Sequence, residues 1–463
     1  MFEASVYARR REALRRELES RGVERGLVIL IGNGESPVNY ADNAYPFRQD
    51  STFLYFVGTA QPGLAATIDL ASGSTRFFGD DLTMNDIVWT GPRPTMAALA
   101  ERSGISETLP RSALAAKAAE AGAGALLYLP SYRAETRLEL AELTGLRPVA
   151  VDAGASLPLV MAIAALRELK SEEEVAELEH AVAITTEMHR AALATARAGM
   201  RESDVAARVT QIALAAGGAL SFPVIATTRG ATLHNHSYDA RLAEGGLFLL
   251  DAGAEVASGY AGDLTTTFPI SARFDTRQKE VYEIVLSAHA AACAALAPGV
   301  DFLDVHLASA RAVAAGLKDL GLIRGDPREA VAAGAHALFY PHGIGHMIGL
   351  DVHDMESYGE DRVGYADRPR SSQFGLASLR LAKPLKVGMV HSVEPGLYFI
   401  PELIAQWKAE KRCGGFINYD RLDAWSGFGG VRNEEDWLVT PTGARKLGPA
   451  FDKSTASIES LRD

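Results

Sequence analysis

The stretch LLDAGAEVASGYAGDLTTTFP, residues 249–269, constrains this chain more than any other. Apolar and β-branched residues on both sides of a small-residue bend predict a buried hairpin, with strands over 247–254 and 260–268 and Ala257, Ser258 and Gly259 as the turn. Two aspartates interrupt it. Folding about Ala257 sets Asp251 opposite Asp263, and directly opposed residues share one face of a sheet with Cβ atoms about 4.5–5.5 Å apart, where like charges repel. Either both carboxylates face water, since DAG and GD are also common turn sequences, or a cation lies between them.

Four further segments place hard or borderline ligands in apolar surroundings. FYPHGIGHMIGLDVHDM carries His342, His346 and His353, and GMVHSVEPGLYFIP carries Glu394. GGVRNEEDWLVT carries Glu434 and Glu435, and ATLHNHSYD carries His234 and His236. Any one alone reads most simply as a satisfied core residue. Taken together they favour a cation, because carboxylates buried with few bases nearby are costly unless a metal neutralises them. Four carboxylates and one imidazole make an oxygen-rich set that suits Mn²⁺, Co²⁺ or Zn²⁺ at a two-metal site, with ions about 3.5–4 Å apart. The two cysteines, Cys293 and Cys413, are too few and too far apart for a structural zinc or a disulfide framework.

The rest of the chain organises around that centre. At 463 residues, two domains are expected. Before about residue 160, short β-rich runs such as GLVILIG, GLAATIDL and ALLYLP alternate with helical stretches, in the pattern of a small α/β domain over 1–160. From 161 to 463 the order of helix, hairpin, helix and strands predicts an α+β domain. It is opened by a long helix whose start is marked by Ser171 and Glu174, a capping box, with Val175, Leu178, Val182 and Met188 at helical spacing. The last fifteen or so residues are polar and are expected to fray. Fifty-eight acidic against forty-six basic side chains give a net charge of −12, which argues against nucleic-acid and anionic-membrane partners. The basic start lacks the apolar core of a secretory signal and reads as an amphipathic surface helix, and the apolar run 157–166 is too short to span a bilayer. A soluble, cytoplasmic protein is expected.

DAG…GYAGD, HGIGHMIGLDVHD, VEPGLY and GVRNEED, in this order and at these spacings, resemble the pita-bread metallopeptidases, and among them the proline-specific group of aminopeptidase P and prolidase. YPFRQDSTFLYFVG is similar to the signature of the smaller N-terminal domain of that group. The resemblance implies a pita-bread catalytic domain behind an α/β domain, with two divalent ions, Mn²⁺ expected first and Co²⁺ or Zn²⁺ next. The implied metal ligands are Asp251, Asp263, His346, Glu394 and Glu434, with Asp263 and Glu434 bridging both ions. His234 and His353 match substrate-contacting histidines, His342 a histidine lining the same cleft, and Arg432 an arginine beside the ligands. The implied chemistry is attack on the bond before proline by a water acidified between the ions, with Glu394 shuttling its proton. A homodimer is implied as well, the smaller domain of one subunit near the active site of the other.

Arg380, fourteen residues before Glu394, matches the arginine with which prolidase binds the C-terminal carboxylate of a dipeptide. A guanidinium does this bidentately, and only a dipeptidase needs to recognise a carboxylate one residue past the cut. The long insertion before the last ligand in FIPELIAQWKAEKRCGGFINYDRLDAWSGFGGVRNEED also looks like prolidase, whereas YPFRQDSTFLYFVG looks at least as much like aminopeptidase P. Xaa-Pro dipeptides are therefore the expected substrates, with longer Xaa-Pro peptides as the alternative. The chain departs from the pattern in several places. Its two aspartates stand twelve apart instead of eleven, and SFPVIATTRGATLH is short with Phe222 in place of a tyrosine. Asn433 and Ser392 replace an aliphatic residue and a threonine beside two ligands. With every ligand position filled, a metal-free scaffold or creatine-cleaving relative is disfavoured. The extra N-terminal domain argues against a methionine aminopeptidase, and attack on phosphotriesters is conceivable only as a side activity.

Overall fold

The computed structural model describes residues 1–366 and 368–462. Two compact units make up the chain: Met1–Arg167 with Met355–Gly359, and Glu168–Asp354 with Glu360–Asp463. The first crossing between them lies at Arg167/Glu168, at the end of the helix Leu157–Glu168, a few residues past the expected 160/161. Pro158 sits in the first turn of that helix, where a proline lacks no needed donor.

In the first unit a five-stranded mixed sheet runs Glu107–Leu109, Thr75–Phe78, Ala65–Asp69, Leu27–Ile31, Leu126–Leu127. The helix Ala4–Ser20 forms as expected, yet Arg10 and Arg11 lie on its buried side. Their guanidinium groups donate to Tyr55 O at 3.1 Å, Phe56 O at 2.8 Å and Gly104 O at 2.8 Å. Two of these are last-turn carbonyls of the helix Ser51–Val57, which has no partners of its own for them. Asp50 caps the other end of that helix by accepting from Phe53 N at 2.9 Å. The YPFRQDSTFLYFVG stretch is thus a short helix tied at both ends.

The second unit has the expected α+β character, with antiparallel sheets against long helices. Its first helix, Glu172–Thr195, carries the full Ser171/Glu174 capping box and buries Leu178, Val182 and Met188. Leu264–Pro269, Leu247–Ala252 and Ile225–Thr227 form one three-stranded sheet, and Val390–Val393, Glu435–Thr440 and Gly443–Lys446 form another. Gly396–Phe399 pairs with Gly429–Arg432.

The hairpin that opened the sequence argument forms with a different register. Asp251 pairs with Thr265, not with Asp263, and the bend is centred on Ser258, with Glu255 bridging Ala261. Moving the centre of a bend by one residue shifts the pairing by two, and a two-residue shift leaves each side chain on its original face. The aspartates are therefore diagonal neighbours on one face, about 7–8 Å apart, which leaves room between them.

The segment expected to fray is docked instead. Phe451 is buried, the helix Thr455–Arg462 follows, and Arg462 donates to Leu193 O, Ala196 O and Ile270 O at 2.5–2.6 Å. Polar composition misled here because the polar groups serve as donors to carbonyls at the end of one helix and at the exit of one strand.

Candidate active site

Four chain segments deliver the acidic and imidazole groups. Asp251 ends one hairpin strand, and Asp263 directly precedes the other. Glu394 follows Val390–Val393, and Glu434 stands between Gly429–Arg432 and Glu435–Thr440, its N–H donating to Thr265 O at 3.1 Å. The loop bearing His346 runs beside the Val390–Val393 segment. Ser392 N donates to His346 O at 2.9 Å, His346 N donates to Ser392 Oγ at 3.2 Å, and Glu394 N donates to Ile344 O at 2.7 Å. Gly345 permits that approach, since a Cβ there would lie 2.2 Å from Ser392 O. The serine that departs from the family pattern thus holds the backbone of the site's imidazole.

The groups converge. His346 Nε2 lies 3.5 Å from Asp263 Oδ2, 3.7 Å from Glu394 Oε1 and 3.8 Å from Glu434 Oε1. One atom each from Asp263, His346 and Glu434 fall within 4.8 Å of one another. Such separations suit donors sharing an ion at about 2.0–2.2 Å from each. Asp251 is held from the side, accepting from Arg432 Nη2 at 2.6 Å.

Electrostatics supports the same arrangement. Burial, and then the charge of Asp251, raises the Asp263 carboxyl well above its usual range. Burial and the charge of Glu434 raise Glu394 likewise, and burial with the charges of Asp263 and Asp251 pushes Glu434 up to about 8. Carboxyls crowded this way ionise together only when a cation compensates them, so the donor set fits divalent metal. Oxygen-dominated chemistry with one imidazole matches Mn²⁺, Co²⁺ or Zn²⁺ better than a thiolate-loving ion.

Around the acids runs a polar network. Arg432 also donates from Nε to Thr265 Oγ1 at 3.2 Å and from Nη1 to the Tyr398 hydroxyl at 3.0 Å. Thr265 Oγ1 donates to Glu434 Oε2 at 2.7 Å. Tyr398 in turn donates to His342 Nε2 at 2.8 Å, and His342 Nδ1 donates to Gly343 O at 2.7 Å, which fixes the tautomer. Burial, reinforced by the charge of Arg432, lowers His342 to about 3, so its ring is neutral. Beneath the acids, Asp436 Oδ2 accepts from Asp263 N at 2.9 Å, and the buried Lys453 donates to Thr265 O at 2.9 Å and Glu434 O at 2.7 Å.

A cavity of about 400 Å³ opens onto these groups. All ten residues to which the resemblance gave a role line it: Asp251, Asp263, His346, Glu394 and Glu434, with His234, His342, His353, Arg380 and Arg432. His236 and Phe222 line it as well, and Phe222, Pro223, Ile225, Leu233 and Val352 supply an apolar wall. The His353 ring packs on His346 with centroids 4.0 Å apart. Arg380 donates to Glu360 Oε1 at 3.0 Å. Glu435 turns away and pairs with Lys446 at 3.0 Å. Tyr398, Thr265, Asp436 and Lys453 were not singled out from the sequence. Tyr398 and Thr265 sit in the very motifs quoted, where a residue-by-residue reading of polar atoms in VEPGLY and GDLT would have found them. Lys453 carries no local signal.

A buried multi-carboxylate centre with histidines in a cavity that has one apolar wall is the site of a metal-dependent hydrolase. Comparison with known proteins agrees. The family described as "Metallopeptidase family M24" matches residues 176–441, and "Aminopeptidase P, N-terminal domain" matches residues 7–128. The chain is 30% identical over 455 residues to the Xaa-Pro dipeptidase of Homo sapiens, covering 96% of this chain and 90% of that protein. It is 29% identical over 472 residues to the Xaa-Pro aminopeptidase of Escherichia coli (strain K12), covering 98% and 97%. Among solved structures, Zn-substituted E. coli aminopeptidase P in complex with product superposes with a TM-score of 0.81 at 27% identity, covering 100% of this chain and 98% of that one. Pseudomonas aeruginosa aminopeptidase PepP does so at 0.81 and 28%, with the same coverage. The protein belongs to metallopeptidase family M24. The expected architecture, a pita-bread catalytic domain behind an aminopeptidase P-like N-terminal domain, holds, and membership implies divalent metal ions. No helix among the described residues is long and apolar enough to cross a membrane.

Proposed function

We propose that the protein is an exopeptidase that hydrolyses the bond between an N-terminal residue and proline, with Xaa-Pro dipeptides as its preferred substrates. The observation that carries this reading is the convergence of Asp251, Asp263, His346, Glu394 and Glu434 on one cavity that also contains Arg380. The likeness to Xaa-Pro dipeptidases and Xaa-Pro aminopeptidases supports the proline specificity. A second reading, cleavage of longer Xaa-Pro peptides, is favoured by the likeness over the whole chain to solved aminopeptidase P structures.

In this reading Asp251, Asp263, His346, Glu394 and Glu434 would hold two divalent ions, with Mn²⁺ the native metal. When bound, the ions supply Lewis acidity and a water acidic enough to act as nucleophile near neutral pH. Glu394, which faces the same cavity, would accept and return the proton. His353 and His234 face the cavity to donate to the developing oxyanion, and Arg432 holds Asp251 in place by donating to its carboxylate. The apolar wall of Phe222, Ile225 and Leu233 receives the pyrrolidine ring while excluding water. Arg380, already oriented by Glu360, takes the dipeptide's carboxylate.

We further propose a cytoplasmic homodimer that binds neither nucleic acid nor membrane. The acidic balance and two unpaired cysteines support the setting. Met84, Val88 and Trp89, 72–80% exposed on the helix Met84–Thr90, supply an apolar surface for self-association. Light scattering that returns a monomer mass would dismiss the dimer.

The deciding experiment compares proline release from Xaa-Pro with Xaa release from Xaa-Pro-Yaa by Mn²⁺-loaded protein, then repeats both with Arg380→Ala. Preference for the dipeptide, erased by the substitution with metal still bound, is expected. Faster cleavage of the tripeptide by the unaltered protein would establish the second reading.

A further inference from the structure

A buried ion pair lies next to the histidine loop and has no part in the chemistry above. Lys170 Nζ stands 2.8 Å from Asp354 Oδ2, and each side chain is 1% exposed. The two residues are 184 positions apart, and Asp354 directly follows His353. The loop 349–354 is drawn tight around the carboxylate. Asp354 N donates to Met347 O at 2.9 Å, Gly349 N donates to Asp351 O at 3.1 Å, and Asp351 N reaches Asp354 Oδ1 at 3.4 Å. Gly349 lies so close beneath that a Cβ would come within 2.3 Å of Asp354 Oδ2. Lys170 is fixed independently, its N–H donating to Gly388 O at 2.8 Å.

A dry pair of this kind is a poor stabiliser, because desolvating both charges offsets most of their attraction and an apolar pair would fold as well. What it supplies is a fixed geometry. The chain leaves the second unit immediately after Asp354, for Met355–Gly359 of the first, and Lys170 lies shortly after the earlier crossing between Arg167 and Glu168. Displacement of the chain at the crossing after Asp354 would reach His353 within one residue if nothing held Asp354.

We propose that the Lys170–Asp354 pair is the positioning device of His353, holding its imidazole over His346 and in the cavity. Lys170 and Asp354 are positioning residues that act through His353, and the kinetic part of this inference rests on the peptidase reading above. Misplacement of a catalytic group by about 1 Å costs on the order of 100-fold in rate, so disrupting the pair is expected to lower kcat by roughly 10- to 100-fold with KM little changed.

The test uses full-length protein carrying Asp354→Asn, Lys170→Met or Lys170→Arg, each alone and combined with His353→Ala, with metal content measured throughout. Expected are a fall in kcat for Asp354→Asn and Lys170→Met, partial rescue by Lys170→Arg, retained metal, and no further fall in the His353→Ala background. A fall that multiplies with that of His353→Ala, or that follows metal loss, overturns the inference while leaving the peptidase reading intact. Absence of cleavage by unaltered protein overturns the peptidase reading instead. The inference is then decided by NMR of the Zn²⁺-loaded protein. The Cε1 proton of His353, assigned by its loss in His353→Ala, should carry a ring-current shift from His346 that Asp354→Asn moves or broadens. An unmoved resonance overturns the positioning role. Should Asp354→Asn not fold, Lys170→Arg and Lys170→Met carry the same comparison.

Discussion

Replacing Tyr398 by phenylalanine removes one oxygen from the centre of the polar network and nothing else of its volume. The side chain is fully buried, and its hydroxyl accepts from Arg432 Nη1 at 3.0 Å and donates to His342 Nε2 at 2.8 Å. A hydrogen bond from a charged donor contributes about 1.5–3 kcal/mol and a neutral one about 1 kcal/mol. Arg432 keeps Asp251 and Thr265 as acceptors, so its charge is not stranded, whereas His342 Nε2 loses the partner it has here. The sum is a loss of about 2–4 kcal/mol. Urea unfolding monitored by tryptophan fluorescence, on metal-loaded and chelated protein in parallel, measures it. The loss should be similar in both, because the two bonds of the hydroxyl go to Arg432 and His342 and not to the metal-ligating residues. A loss under about 1 kcal/mol would refute the claim that these bonds bear on stability.

Thr265→Val removes the donor to Glu434 Oε2 and the acceptor of Arg432 Nε, and should weaken divalent-metal affinity about 10- to 100-fold, read by competition with a fluorescent chelator. Stability should fall as pH drops from 7 to 5. Burial holds His289 and His336 at about 4 and His306 well below its usual value, so the folded rings stay neutral while the unfolded chain binds protons below about 6.5. Each such ring contributes about 1.4 kcal/mol per pH unit between about 4 and 6.5, and a flat urea midpoint over that range would contradict it. Deleting residues 449–463 should yield insoluble or inactive protein, since it removes Phe451, Ile458, Lys453 and Arg462 from buried positions. A soluble, metal-binding product would show that the segment is dispensable.

Much of the site was legible because its chemistry is local. A carboxylate inside an apolar strand is visible wherever it occurs, and five motifs carried nine residues to one cavity, with Arg380 added by its spacing to Glu394. The face shared by Asp251 and Asp263 was legible even though their pairing was not, because side-chain direction depends on an even or odd count and the misplaced bend changed the count by two. The expected boundary and the crossing between the compact units lie in one helix, Leu157–Glu168, whose continuity across the crossing leaves no mark in composition. The fate of the last fifteen residues was invisible. Arg462 meets carbonyls 192–269 positions away and Lys453 meets Thr265, relations that leave no periodic trace. The burial of Arg10 and Arg11 was hidden for the same reason, since donors to carbonyls exposed by another helix's end look from the sequence like any surface arginine.

Lys453 grips the carbonyl of Glu434 from a segment that the ribosome makes after every other contributor to the cavity. A chain stopped before that lysine would carry Asp251, Asp263, His346, Glu394 and Glu434 yet lack the clasp on one of them, so its hold on metal should be weaker than that of the full-length protein.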